Sequence, residues 1–472
     1  MKENNEYIGK KGVLYMENSL THAAERKAFE AALALAFKKV GKNDNDGYVD
    51  IVNLFQKVLG KAWPDEAYDH MRTAFGKDGK YTQYFNRIAA TVDQEYLKKL
   101  FMSMVYEGMI CGYRNTQKMG KKLGVKIPWT ILFDPTSACN LHCTGCWASE
   151  YSRQLNLSND DMDKLVTEAK ELGIHFFVMT GGEPMTRKND ILKLAKKHND
   201  CGFMIFTNGT LVDQAFCDGM KECGNIIFSM SIEGNEEATD ARRGKGTFAK
   251  VMATMDLLRK NKLPYGTSIC YTKANCEAVT SDEFYDFLIN KGVLFSWYFH
   301  FMPVGKDTDL TLVPTVEQRK YMYDRIRAIR GYTGGKQIFC MDFQNDGQFV
   351  GGCIAGGKYY CHINPAGDME PCVFIHYSNA NIHDKSLLEC LKQPIFREYQ
   401  ANQPFNENHL RPCPMLENPE KIAKIVHASG AHSTDMTDPE NVDDLSAKVK
   451  PYADAWKPEA DKLWEADTHR VK

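Results

Sequence analysis

From about residue 126 the chain alternates between short apolar runs of strand length and stretches with helical periodicity. The runs are 129–133, 174–179, 203–206, 226–232, 265–271 and 295–301. Strand and helix in strict alternation require parallel strands joined by right-handed crossovers. Six such units fit a partial (β/α)6 barrel better than an open sheet, although the pattern alone leaves both standing. The clearest intervening helix has Ser158 as N-cap and Asp161 three residues on. Met162, Leu165, Val166, Ala169 and Leu172 share one face, and Gly173 ends it.

The flanking sequence is of another kind. Residues 1–125 read as a helical domain, with amphipathic segments at 20–40, 51–59 and 94–109. Between the first two, KNDNDGYVDIVN resembles a calcium loop. It has Lys42 where a carboxylate should begin the loop and Asn53 where a bidentate Glu should end it, so a helix-turn-helix connector is expected. Residues 126–335 form the α/β core, and 336–415 are Gly- and Cys-rich, as in a metal-organised module. Residues 416–472 read as a helical tail interrupted by Pro439, Pro451 and Pro458. The 472 residues carry a net charge of −2, which gives no electrostatic case for nucleic acid or anionic membrane as partner. Neither a signal-peptide core nor an apolar run of roughly 18 residues occurs, so a cytoplasmic location is expected.

Fifteen cysteines suggest metal binding or catalysis in a reducing compartment. Eight of them (Cys111, Cys201, Cys217, Cys223, Cys270, Cys276, Cys340 and Cys390) read as small buried hydrophobes. The other seven fall in two groups. In DPTSACNLHCTGCWASEY, directly after the first strand, Cys139, Cys143 and Cys146 have the spacing C-x3-C-x2-C. Three thiolates on one tight loop can hold three corners of an iron–sulfur cube and leave its fourth iron open. The competing reading is a zinc knuckle completed by His142, but the adjacency of His142 and Cys143 makes tetrahedral wrapping awkward.

The loop resembles the signature of the radical S-adenosylmethionine (SAM) superfamily, C-x3-C-x-Φ-C after the first barrel strand. Gly145 stands where the family has an aromatic, and the adjacent Trp147 is expected to shield the cluster instead. One βα unit later, Gly181-Gly182-Glu183-Pro184 resembles the superfamily's GGEP motif, which implies contact with the methionine amino group. Two glycines there permit close backbone approach, and proline fixes the exit. The third strand ends in Thr207-Asn208-Gly209. On the fourth, Ser229, Ser231 and Glu233 alternate with Met230 and Ile232 and therefore share a face. The resemblance implies that this strand end meets the ribose and carboxylate of S-adenosylmethionine. Arg243, in TDARRGKGTF, is either a carboxylate partner or a solvated surface charge. His300, near the sixth strand's end, is either a substrate contact or a core histidine, and the core reading is favoured.

The second group, GGCIAGGKYYCHINPAGDMEPCVF, has thirteen residues between Cys353 and Gly367 and four between Gly367 and Cys372. This is similar to the opening of the SPASM and twitch auxiliary-cluster domains. The turn Pro365-Ala366-Gly367-Asp368 would join two short strands. Cys413 is a natural third ligand, and Cys361 is either a fourth or part of the core. One auxiliary cluster is expected rather than two, with a structural zinc site as the alternative.

The resemblance spans roughly residues 126–415. It implies an oxygen-sensitive enzyme with a [4Fe-4S] cluster on Cys139, Cys143 and Cys146, S-adenosylmethionine and a second, auxiliary [4Fe-4S] cluster. An electron from flavodoxin or ferredoxin would drive cleavage to methionine and a 5′-deoxyadenosyl radical, which abstracts hydrogen from the substrate. Peptide or protein modification is the leading expectation, with a small metabolite or lipid next. A non-catalytic iron–sulfur electron carrier and a zinc-organised interaction protein are the readings from other classes. No residue is singled out as the one that does the chemistry.

Overall fold

A computed structural model describes residues 22–38, 48–59, 65–77, 79–305, 308–331 and 335–467. Residues 42–47, half of the segment that resembles a calcium loop, lie outside the described residues, and its second half opens the helix Val49–Leu59. Six strands form where the apolar runs predict them: β1 Thr130–Phe133, β2 Phe176–Met179, β3 Gly202–Thr207, β4 Ile226–Ser231, β5 Tyr265–Tyr271 and β6 Phe295–His300. All pair in parallel in chain order. The helix Asn159–Glu171 between β1 and β2 begins with the expected capping box of Ser158 and Asp161.

The sheet is larger than six strands. β7, Phe339–Asp342, adds in parallel to β6 after the crossover helix Val316–Arg330. β8, Tyr360–Ile363, adds in parallel to β1 at the other edge, and β9, Met369–Glu370, returns antiparallel on it. The β8–β9 hairpin turns through Pro365–Asp368, with Gly367 at φ +88°. Strands from the Cys-rich segment thus complete the same sheet as the core.

Register divides the sheet into two faces. Side chains such as Ile131, Phe177, Phe203, Phe228, Ile269, Tyr298, Cys340, Cys361 and Ile363 are fully buried beneath the helices. The opposite, lumen face carries Leu132, Phe206, Ser231, Ser268, Cys270, Trp297 and Phe299, all only partly buried. The lumen is therefore a partly open interior, unlike a barrel filled by layered side chains.

The N-terminal helices seal the base of the barrel. Tyr96 donates to Ile226 O at 2.5 Å, Tyr84 to Leu294 O at 3.0 Å, and Arg87 to Val293 O at 2.9 Å and Gln337 O at 2.7 Å. All four carbonyls lie at or before the starts of strands. The helical stretch Phe101–Gly112 packs so tightly on β2 and β3 that a Cβ at Gly202 would lie 2.4 Å from Met104.

The C-terminal helix Val442–Ala466 runs through Pro451 and Pro458, contrary to the interrupted tail expected from sequence. Packing overrides the break. Trp456 is fully buried and donates to Leu410 O at 3.1 Å, while the Arg319 guanidinium lies 4.3 Å from its ring centre. The short strands β10, Tyr377–Ser378, and β11, His432–Ser433, pair antiparallel outside the main sheet. Among the described residues no helix is long and apolar enough to cross a membrane.

Candidate active site at the C-terminal rim

The chain leaves β1 at Asp134 and forms the cysteine loop over the C-terminal ends of the strands, where parallel barrels hold their function. The foot of the loop is bonded to the exit of β2. Gly182 N–H donates to Thr136 O at 2.9 Å and Glu183 N–H to Ala138 O at 2.8 Å. A Cβ at Gly181 would sit 2.5 Å from Thr136 O, and one at Gly182 2.3 Å from Ala138 O. Here the two glycines are required by the cysteine loop itself, an approach the sequence reading had ascribed to a ligand.

Glu183 is buried, and its carboxylate joins two strand ends. It accepts from Met185 N–H at 2.9 Å, Thr207 Oγ1 at 2.5 Å and Asn208 N–H at 2.7 Å. Burial pushes its pKa up against those hydrogen bonds. Pro184 opens the short helical turn that follows. Asn208 donates through Nδ2 to Asn140 Oδ1 at 2.9 Å, which fastens the end of β3 to the residue after Cys139.

On the other side of the loop stands a cationic clamp. Asn235 caps the helix Glu236–Arg243, whose last turn brings Arg242 and Arg243 back onto Glu233. Glu233 Oε1 accepts from Arg242 Nη1 at 2.7 Å and from Arg243 Nε at 2.8 Å. Arg242 Nη2 reaches Gly145 O at 3.4 Å, and Arg243 Nη1 reaches Cys143 Sγ at 3.9 Å. Burial works against the charge of Arg243, but Glu233 and Cys143 outweigh it and hold its pKa above the ordinary value. The surface-charge reading of Arg243 is thereby overturned. Arg242, which the sequence reading passed over, shares its place.

Burial pushes the Cys139 thiol up to about 11, and the neighbouring Cys143 and Cys146 thiols add to the shift. Burial also raises Cys143, while Arg243 opposes it. Two guanidiniums sharing one carboxylate place net positive charge beside Cys143, which opposes the burial that favours its neutral thiol. Ser229 Oγ and Glu233 Oε2 are buried and meet no hydrogen-bond partner among the described residues. A three-thiolate donor set, a compensating positive field and unmet polar atoms alongside fit an anionic cluster with a polar ligand. Among the described residues, no three His, Cys, Asp or Glu side chains converge on a point that could hold a single metal ion.

Ser229 and Ser231 lie on the lumen face of β4, as their alternation implies. Cys270 on β5 shares that face, and Arg242, Glu233 and Cys146 all act on its thiol; it had been read as a bland core cysteine. The space a side chain at Gly145 would fill is taken by the ring of Phe301, 2.5 Å from such a Cβ. Phe301, rather than Trp147, thus occupies the place of the family's aromatic. Trp147 instead meets His362 at 6.0 Å, Phe374 at 6.2 Å and His376 at 6.4 Å, ring centre to ring centre. His300 points away from the lumen. Its Nε2 pairs with Tyr452 OH at 2.7 Å and its Nδ1 with Phe301 O at 2.6 Å, and burial holds its pKa well below the usual range.

Behind the cysteine loop lies a buried polar network that the sequence did not reveal. His362 on β8 lies 3.0 Å from Asp134 and 2.7 Å from Glu370. Burial disfavours its charge, but the two carboxylates outweigh that and raise its pKa to about 10. Tyr151 and Asn364 donate to Glu370, and Thr180 donates to Asp134.

Of the second cysteine group, Cys353, Cys372 and Cys413 lie within each other's electrostatic reach. Tyr360 donates to Cys372 Sγ at 2.6 Å, and Tyr399 OH stands 3.7 Å from Cys353 Sγ. Cys413 N–H donates to Glu417 at 2.6 Å, and Glu417 pairs with Arg319 at 2.6 Å, both side chains fully buried. Cys361 faces the helix side of β8 with Cys390 as its charged-state neighbour, apart from these three.

A family model described as the Radical SAM superfamily matches residues 133–274, the segment that holds the cysteine loop, the GGEP turn and the Glu233–Arg243 clamp. This segment is a radical SAM domain. The chain's relatives include an AdoMet-dependent heme synthase of Methanosarcina barkeri, 24% identical over 57% of this chain and 84% of that protein. Mycofactocin maturase MftC of Mycolicibacterium smegmatis is 27% identical over 56% of this chain and 67% of the maturase. Among solved structures, Streptococcus suis SuiB bound to precursor peptide SuiA superposes with a TM-score of 0.53 at 17% identity. That match covers 65% of this chain and 76% of SuiB, and at such identity the likeness concerns the fold.

Proposed function

We propose that this radical SAM enzyme modifies a peptide or protein substrate. The observation that carries the radical SAM part is the joint between the cysteine loop and the GGEP turn, with the Arg242–Arg243 clamp opposite. When bound, the cluster on Cys139, Cys143 and Cys146 and S-adenosylmethionine supply a 5′-deoxyadenosyl radical that removes a hydrogen atom from the substrate. The backbone of Gly181–Pro184 and the ends of β3 and β4, with Thr207, Asn208, Ser229, Ser231 and Glu233, frame the nucleotide. Arg242 and Arg243 offset the negative charge of the thiolates. The N-terminal helices close the base against water. Cys353, Cys372 and Cys413 hold an auxiliary [4Fe-4S] cluster, and Cys361 serves the core. Flavodoxin or ferredoxin supplies the electron.

The peptide reading draws on MftC, named a maturase, and on the SuiB complex with its precursor peptide. A small apolar metabolite is the second reading, favoured by the aromatic lumen and by the relationship to a heme synthase. Anaerobic reconstitution with iron and sulfide, followed by dithionite and S-adenosylmethionine, should yield 5′-deoxyadenosine, and Cys146→Ala should yield none. Product from the alanine variant would overturn the cluster assignment. Short peptides encoded beside the gene should change mass in the same reaction. If none does while 5′-deoxyadenosine forms, the substrate is a small molecule.

A further inference from the structure

Phe301 is where the end of β6 meets the cysteine loop. Its ring fills the space beside Gly145, which takes φ +64° between Cys143 and Cys146. Its backbone is held twice. The N–H donates to Tyr271 O at 3.0 Å, and the carbonyl meets His300 Nδ1 at 2.6 Å. A carbonyl can only accept, so Nδ1 carries the proton, and the neutral ring offers Nε2 as an acceptor. The Tyr452 hydroxyl, 2.7 Å away, therefore donates to Nε2. Burial keeps this imidazole uncharged.

Tyr452 lies close enough to Arg319 for the guanidinium charge to oppose the rise that burial imposes on its hydroxyl. Arg319 is fully buried and has no freedom of its own. It stacks 4.3 Å from the Trp456 ring centre, donates through Nε to Asn345 Oδ1 at 3.1 Å and pairs with Glu417 at 2.6 Å. Glu417 in turn accepts the Cys413 N–H at 2.6 Å. A file of polar groups thus runs from Cys413 across the helices Val316–Arg330 and Val442–Ala466 to the ring that abuts the first cysteine set. In a dry interior such groups keep fixed partners, so a change at one end is passed along rather than absorbed by water.

We propose that His300 is a positioning residue for the cysteine loop: it sets Phe301 against Gly145 and ties the shape of the loop, through Tyr452, Arg319 and Glu417, to Cys413. Its bonds leave its ring pointing away from the lumen, so it acts through Phe301. Its bearing on catalysis rests on the reading of the loop as the cluster site.

The test is the rate at which iodoacetamide alkylates Cys143 and Cys146 in the whole chain without metal, read by peptide mass. The fully buried Cys217 gauges general opening. Tyr452→Phe keeps the ring and removes only the hydroxyl. It should speed alkylation of the loop about threefold or more, the lower end of coupling between contacting residues, and leave Cys217 unchanged. Glu417→Gln should act likewise, and the two together should do no more than the larger alone. His300→Leu should exceed Tyr452→Phe, while His300→Asn, which keeps a donor where Nδ1 stands, should recover part of the difference. Unchanged loop rates in Tyr452→Phe overturn the proposal, and so does an equal rise at Cys217. Effects that multiply in the double variant overturn the tie to Cys413, and equal rates for the leucine and asparagine variants overturn the hold on Phe301. After reconstitution, Tyr452→Phe should retain its iron yet bind S-adenosylmethionine more weakly by a similar factor. The alkylation rates need no cluster, so a wild-type enzyme that forms no 5′-deoxyadenosine counts against the proposed function alone.

Discussion

The two sets of three cysteines occupy opposite surroundings. Cys139, Cys143 and Cys146 sit on a partly exposed loop at the lumen mouth, facing two arginines and polar atoms that lack partners. Cys353, Cys372 and Cys413 sit among Tyr360, Tyr399 and the Arg319–Glu417 pair, with burial pushing Cys372 up to about 12. The first set is arranged for something to arrive, whereas the second is enclosed by finished contacts. Under the proposed assignment, a cluster on the loop would perform the chemistry and one on the enclosed set would organise the module over the lumen.

Replacing Cys413 with Ser sharpens that contrast most. Iron should fall by about four atoms per chain, while uncoupled formation of 5′-deoxyadenosine persists; iron analysis and product chromatography read both. Loss of the nucleoside product would mean the two sites are not separable. Next is Arg319→Met, which leaves Glu417 buried and unpaired. It should cost about 3–5 kcal/mol in denaturant unfolding, together with loss of the order around Cys413. A change below about 1 kcal/mol would show that the buried pair does not support the module.

A smaller effect is expected from pH. The folded pKa of His362 is raised from 6.5 to about 10, so its contribution to stability is complete below 6.5 and is lost as pH rises through 10. The melting temperature should therefore fall more steeply between pH 7 and 10 than in His362→Gln, and parallel curves would refute a charged imidazole. The smallest change belongs to Cys361→Ala, about 1 kcal/mol of core packing, with iron content unaltered. Loss of iron would make Cys361 a ligand after all.

Much of this arrangement was legible in the sequence. Apolar runs of strand length marked six strands, and the Ser158 cap with Gly173 marked the helix between the first two. β7 and β8 were missed as members of the sheet because FCMD and YCHI are short and mix polar with apolar residues. Only closure of the sheet gives them partners. The Asp134–His362–Glu370 network escaped because Asp134 stands more than two hundred residues from the other two and meets them only when β8 lies on β1. Arg242 could have been found from its place beside Arg243 in the last turn of one helix. Cys270 could have been found by continuing the alternation from Ser268. Phe301 could not, since only the folded chain shows its ring in the space Gly145 leaves.

The stoppered base has a consequence for the order of events. If substrate enters at the opposite rim, cofactor would have to settle before substrate closes over it, and spent nucleoside would wait behind the modified substrate. Turnover would then be paced by departures, and a slowly leaving product would also shelter the reactive interior from oxygen.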